Sequence, residues 1–205
     1  MDPNTFPTKG NLILTRNMLR LSKQGYDLLD KKRNVLIKEI MELDERIAEL
    51  QADIETVFSE AYDALRRANI SMGIESVARM SYGVAKETSV RIRRRSVMGV
   101  ELPMVSYDNT TAHKPYFGLL NTTVSLDEAF DKFNRAKDMI IRLSEIENSA
   151  YRLAMAIRKT QKRANALKNI TIPKYEALAK SIQETLEERE RDEFTRLKVI
   201  KRNKR

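Results

Sequence analysis

Few residues in this chain of 205 have the type and spacing that chemistry requires. The segment from Gly83 to Lys86 combines a glycine with a lysine, as loops that bind a nucleotide phosphate do. Such a loop needs glycine directly before the lysine and again five residues earlier, but Ala85 and Met80 stand at those positions. The segment therefore does not predict nucleotide binding.

Side chains for metal binding or nucleophilic catalysis are also scarce. The absence of cysteine excludes disulfides, a thiolate nucleophile and a zinc knuckle, and His113 as the one histidine excludes a two-histidine metal site. Carboxylates near the C-terminus stand beside arginines on a predicted helix, and we interpret them as solvated ion pairs: Glu187, Glu188, Glu190 and Asp192. We predict no catalytic residue, cofactor or metal site, and we expect the chain not to be an enzyme.

Positive charge is the stronger signal, since the formal net charge is +9. Basic residues without any acid occupy 3–26, 158–175 and 194–205, and four arginines lie within 91–95. Such runs bind either nucleic acid or an acidic protein surface. A basic coiled-coil adaptor that binds nucleic acid is the alternative function, but aromatic residues are not interleaved with the runs, as stacking on bases would require.

Two long helices must position these charges. Apolar or small residues recur in steps of four and three from Leu36 to Ala68 with charged residues between them, a pattern typical of a coiled coil. The first helix is predicted over 11–72, with Gly73 as its left-handed stop. Its earlier part carries a similar stripe in a slightly shifted register: Leu14, Met18, Leu21, Gly25 and Leu28.

A second long helix is predicted from Ser125 to about residue 201. Ser125 and Glu128 form a capping box, and an apolar stripe follows from Ala129 to Leu186. Neither helix can bury its stripe alone, so we expect an antiparallel pair whose facing residue numbers add to about 200.

That pairing brings Gly25 close to Pro173. Proline lacks the backbone N–H of a helical hydrogen bond and bends its helix. A glycine opposite would let the two backbones approach at the bend. The other interpretation is a tolerated proline and an unrelated glycine.

An insert separates the two helices. Glu75 to Ser81 predict a short helix, and the alternation of apolar and polar residues over 89–104 predicts a strand or hairpin arm. Arg91, Arg93 and Arg95 share the parity opposite to the apolar residues. They are either a contact surface or a guard on an edge strand. Aromatic and leucine residues over 116–120 are expected to pack the insert onto the coiled coil.

The predicted fold is therefore all-α: a long antiparallel two-helix coiled coil with a small β-hairpin-containing insert at the far end. Residues 1–74 form the first helix, 75–124 the insert, and 125–205 the second helix with its basic tail. No apolar run reaches the roughly 18 residues of a membrane-spanning helix, and no signal peptide is evident. We expect a cytoplasmic protein without direct membrane insertion.

Five stretches, in three parts of the sequence, resemble one family. They are Arg158-Lys-Thr-Gln-Lys-Arg-Ala-Asn-Ala-Leu-Lys-Asn-Ile-Thr-Ile-Pro173 with Leu186 to Lys198, then Pro7 to Arg33, and Val97 to Pro103 with Tyr116 to Leu120. The family is that of the D subunits of V-type and archaeal-type rotary ATPases and ATP synthases. The short tail resembles that of its prokaryotic members.

The resemblance implies the central rotor stalk of such a complex, which transmits torque between the catalytic head and the membrane ring. That torque couples ATP synthesis or hydrolysis to proton or sodium transport. The implied partners are the catalytic A and non-catalytic B subunits of the head, the F subunit of the stalk and the funnel-shaped C (or d) subunit on the membrane ring. No nucleic acid is implied, and the protein would be peripheral to the membrane through the complex.

Within this role we predict functions for particular residues, from their charge and position. Both termini would insert into the head, with a rotor–head interface at Arg16, Arg20, Lys23, Phe194, Arg196 and Lys198. Gly25 and Pro173 would mark a bend in the shaft. Arg91, Arg93 and Arg95 would form the contact face of the insert.

Overall fold

The computed structural model describes residues 6–84, 88–107 and 122–203. The fold is all-α with one two-stranded antiparallel sheet, as predicted. The elements are α1 Lys9–Met72, α2 Ile74–Ser81, β1 Arg91–Val97, β2 Val100–Ser106, α3 Val124–Ala166, a π-helical turn Leu167–Thr171 and α4 Ile172–Asn203. They divide into a terminal unit, Met1–Asn34 with Ile157–Arg205, and an insert-bearing unit, Val35–Ala156.

In the insert-bearing unit α1 and α3 run antiparallel. Glu60 pairs with Lys132 at 3.3 Å, and the Tyr62 ring meets the edge of Phe133 with 5.7 Å between centroids. The stripe predicted from the sequence is the buried one. Its most buried members are at most 1% exposed: Leu36, Ala61, Ala64 and Ala68. The predicted coiled-coil seam is confirmed here.

Helix α2 packs on the pair of long helices through one buried residue. Val77 forms a small core with Ala68 of α1 and Leu126 of α3. Gly73 joins α1 to α2 and has φ 81° and ψ 142°. The predicted stop is correct, but its ψ lies outside the left-handed helical region, in a region that is open almost only to glycine. Helix α3 begins at Val124, one residue before the predicted cap Ser125.

In the terminal unit the predicted seam of α1 is wrong. The heptad that buries Leu36 continues backwards without any shift through Leu29, Ser22 and Thr15, of which Thr15 is only 6% exposed. The leucines chosen from the sequence instead lie on the neighbouring exposed face and are 53%, 64% and 67% exposed: Leu14, Leu21 and Leu28. The pattern of hydrophobic residues predicted the wrong stripe because polar residues occupy part of the seam that is buried in the structure.

Helix α3 passes into α4 through the π-helical turn, which ends two residues before Pro173. The Ile172 N–H donates to the carbonyl of Leu167, five residues earlier. A wider turn moves the preceding carbonyls away from the proline ring, which clashes with the residue four earlier in an ordinary α-helix. The half-buried positions here are Leu167, Thr171 and Tyr175, which are separated by two successive steps of four residues. In a heptad seam, steps of four and three alternate, so this part of the helix contains one additional residue between seam positions.

The hairpin of β1 and β2 turns through Met98 and Gly99, both with positive φ. A two-residue turn reverses the parity of the second strand, so residues that face each other share a side of the sheet. Arg95 faces Leu102, and Arg93 faces Met104. The arginines therefore lie on the same face of the sheet as Leu102, which is 4% exposed. The prediction from the alternation, that they lie on the face opposite to Leu102, is wrong.

Helix α3 closes the outer edge of β2. Residues 101, 103 and 105 point their backbone groups away from β1, and each meets a side chain from one face of α3. Glu145 accepts from the Val105 N–H at 2.9 Å, Ser149 donates to the Pro103 carbonyl at 3.5 Å, and Arg152 donates to the Glu101 carbonyl at 3.1 Å. Pro103 lies at a position where no ladder donor is lost.

Candidate interaction site in the terminal unit

Helices α1 and α4 pair antiparallel in the terminal unit through polar contacts at regular spacing. Each contact joins residues whose numbers add to about 200, as the antiparallel pairing predicted: Lys9 with Glu190 at 2.8 Å, Arg16 with Gln183 at 2.7 Å, and Lys23 with Glu176 at 2.7 Å. Because these side chains are exposed, solvent screens the contacts and each contributes little to stability. They fix the register of the two helices more than they stabilise them.

The pair of Lys9 and Glu190 perturbs both ionisable groups. The hydrogen bond and the positive charge of Lys9 lower the pKa of Glu190, and the same contact raises the pKa of Lys9. Arg189 adds a hydrogen bond to the Pro7 carbonyl at 3.3 Å. The first turn of α1 is thereby held against α4.

Helix α4 continues past Glu190 to Asn203. All the described residues of that stretch are exposed, and Phe194 and Leu197 are 69% and 65% exposed. Arg196 and Lys198 form no hydrogen bond or ion pair within the described chain. We call residues 191–203 the basic extension. From Phe194 onward it combines exposed apolar side chains with basic ones and contains no acid.

The predicted interface residues thus fall into two groups. Arg16 and Lys23 already bond to Gln183 and Glu176, while Arg20 makes a long 3.5 Å contact with Asn17 of its own helix. The second group lies on the basic extension: Phe194, Arg196 and Lys198. The sequence showed the positive charge of both groups, but it did not show that the first group has partners inside the chain.

The predicted bend residues lie in this unit as well. A Cβ on Gly25 would meet Leu167 Cδ1 at 3.7 Å, an ordinary contact, so the space there does not require glycine. The ammonium of Lys168, inside the π-helical turn, lies 5.8 Å from the centre of the Tyr26 ring. The sequence pointed to Pro173 but not to a π-helical turn, although two successive steps of four on the stripe are its signal.

The predicted contact face of the insert is only partly available. Arg95 forms an ion pair with Glu39 of α1 and so ties the hairpin to the coiled coil of its own unit. Arg91 and Arg93 form no ion pair within the described residues. The aromatic residues over 116–120, like His113 and the segment 85–87, lie outside the described residues.

The described ranges contain no cluster of histidine or carboxylate side chains arranged to hold a metal ion. In the same ranges, no helix has the length and hydropathy to span a bilayer.

Comparisons with known proteins match almost the whole chain to one family. A family profile for the D subunit of ATP synthase matches residues 11–202. The chain is 43% identical to the D subunit of the V-type ATP synthase of Thermotoga neapolitana, over 95% of this chain and 96% of that protein. It is 36% and 34% identical to the D subunits of the A-type ATP synthases of Methanobrevibacter smithii and Pyrococcus abyssi, again over 95% of this chain and over 85% and 92% of theirs.

Proposed function

The chain belongs to the family of ATP synthase D subunits, and from that membership we propose that it is the central rotor stalk of a V/A-type complex. In this role it turns inside a head of catalytic A and non-catalytic B subunits and performs no chemistry itself. It passes torque to the membrane ring through the F subunit of the stalk and the funnel-shaped C (or d) subunit. ATP synthesis or hydrolysis is thereby coupled to proton or sodium transport, and the protein lies at the cytoplasmic side of the membrane.

The observation that carries the proposal is the unbroken heptad of α1. The helix spans 64 residues, and one seam runs along it from Leu12 to Ala68 in constant register. Within each unit, a seam packed against an antiparallel helix resists twisting because its side chains lie between those of the partner helix. A shaft that transmits torque needs this property. An adaptor that binds nucleic acid has no use for it.

We place the head contact on the basic extension. Its cations Arg196 and Lys198 have no partner within the described chain, and Phe194 offers an exposed ring beside them. An acidic lining in the head would attract such a surface and orient it during assembly. Arg16, Arg20 and Lys23 lie on the paired part of the helices and would contribute to the same field.

An asymmetric shaft would change one catalytic interface at a time, since each interface would have a different contact free energy with it. We propose that the asymmetry arises at the π-helical turn before Pro173, which Lys168 and Tyr26 hold against α1. Sharp changes of helix direction occur at prolines and at π-helical turns.

The bend can be removed by shortening the turn. We expect Pro173→Ala alone to keep the π-helical turn, because the additional residue of the stripe remains. Pro173→Ala together with deletion of the exposed Asn169 removes one residue from the π-helical turn and favours a regular α-helix there. This shortened variant is expected to assemble but to couple less of its ATP hydrolysis to ion transport in reconstituted vesicles. Gly25→Ala is the control and is expected to couple normally; normal coupling in the shortened variant would contradict the bend.

The rotor role is tested by watching the chain turn. The protein has no cysteine, so Ile70→Cys, at a position that is 80% exposed, gives one site for attaching a bead. With the head fixed to a surface, ATP is expected to drive stepwise rotation of the bead in one direction. A bead linked to a catalytic subunit of the same head is expected to stay still. A stationary bead on the labelled chain, in a head that hydrolyses ATP, would contradict the proposal.

A further inference from the structure

The two edges of the hairpin differ in a way that the rotor role does not explain. The outer edge of β2 is closed by three side chains of α3. On β1 the outward backbone groups belong to Ile92, Arg94 and Ser96, because these residues occupy the pairs that are not hydrogen-bonded across the hairpin. No hydrogen bond joins these groups to another part of the described chain. Among residues 6–84, 88–107 and 122–203, nothing pairs with this edge of the sheet, and we call it the open edge.

The open edge is held in a fixed position. Arg95 pairs with Glu39 of α1, and Leu102 is buried beneath the same face. The contacts of α3 with β2 anchor the other strand. A strand that is fixed in this way offers its N–H and C=O groups to a partner at a small cost in conformational entropy.

The charge of β1 limits which partner fits. The strand carries four arginines and no acid, and Arg91 and Arg93 on one face have no ion pair within the described residues. The other face presents Ile92, which is 69% exposed. Side chains of neighbouring strands on one face lie about 5 Å apart. A matching strand would therefore carry acids beside Arg91 and Arg93 and an apolar residue beside Ile92.

We propose that the outer edge of β1 binds an extended acidic segment of another component of the same ATP synthase, which adds as a third strand to the hairpin. Main-chain hydrogen bonds supply the attachment, and the arginines select the partner by charge. The same arginines repel a second copy of this chain, because they would stand opposite one another. The proposal rests on membership of the complex and not on the rotor role.

A proline at position 94 isolates the backbone contribution. Arg94 faces Pro103 across the hairpin, so Arg94→Pro removes one outward N–H and no ladder donor of the hairpin itself. Arg94→Ala removes the same charge, and its ion pair with Glu101, but keeps the N–H. Each full-length variant is titrated against the other non-membrane subunits of the complex, purified singly. We expect Arg94→Pro to bind one of them about tenfold more weakly than Arg94→Ala does.

Hydrogen exchange provides the second measurement. The amides of Ile92, Arg94 and Ser96 are expected to exchange rapidly in the isolated chain and slowly in the assembled complex. The inward amides of Arg93 and Arg95 should stay protected in every variant, which shows that the hairpin is folded. Equal binding by the two variants would overturn the proposal. Unprotected edge amides in the complex would overturn it as well, as would edge protection in the isolated chain, which would indicate another segment of this chain or a second copy.

Discussion

Reversal of two charges on the basic extension, Arg196→Glu with Lys198→Glu, is expected to weaken binding to the assembled head by about 100-fold at low salt. Neither cation has a partner within the described chain, so reversal leaves the internal contacts intact and acts on the partner alone. Like charges placed opposite one another in an interface cost several kcal/mol. Binding of the purified chain to a head of A and B subunits is measured at about 50 and 200 mM salt. The first value gives the loss of affinity, and the second shows how far salt screens it.

The matched control carries the same change in net charge at exposed positions of the insert-bearing unit, Lys38→Glu with Arg142→Glu. Its binding to the head is expected to stay within about twofold of the unmodified chain. Arg16 and Lys23 are less suitable for this test, because their reversal also breaks contacts with Gln183 and Glu176. Equal binding by the two reversed variants would remove the basic extension from the interface.

Truncation of Leu36 to alanine is expected to lower the free energy of unfolding by about 2–5 kcal/mol, because its fully buried side chain leaves a cavity in the seam. Leu28→Ala is expected to change that free energy by about 0.5 kcal/mol or less, because Leu28 is 67% exposed. Urea unfolding of the two variants measures both values. Both residues are leucines on the same helix, so the comparison separates the effect of burial from that of residue type.

The Leu28→Ala variant also decides between two registers of α1, and Leu36→Ala, on the seam in both, is its reference. The seam inferred from hydrophobicity includes Leu28, whereas in the folded helix the neighbouring residue Leu29 is on the seam and half-buried. A loss of stability in Leu28→Ala as large as that in Leu36→Ala would contradict the heptad that runs from Leu12 to Ala68.

The long helices and the hairpin were predictable because hydrophobic periodicity is strong where apolar residues fill the seam, as from Leu36 to Ala68. Periodicity failed where Thr15 and Ser22 occupy seam positions and leucines lie beside them. It failed again in the hairpin, because the side that each residue of β2 takes depends on the length of the turn. The sequence did not indicate a two-residue turn, because Met98 adopts a φ of 49° there and a positive φ is uncommon for methionine.

The candidate site was predictable in charge but not in pairing. A sequence shows that Lys23 and Arg196 are both basic, but only the register of α1 against α4 gives Lys23 an acid and leaves Arg196 without one. The open edge of β1 lies equally beyond sequence patterns. It depends on which strand of the hairpin lies against α3.

The buried alanines of the insert-bearing unit contribute through their small size. The hydrophobic effect of one methyl group is small, but alanine on the seam lets two helix axes come closer than leucine would. Ala61, Ala64 and Ala68 are at most 1% exposed and lie on the seam of α1. One valine, Val77, packs with Ala68 of α1 and Leu126 of α3 and so reaches both helices at once. An eight-residue helix, too short to be stable alone, is thereby fixed in place through a single buried side chain.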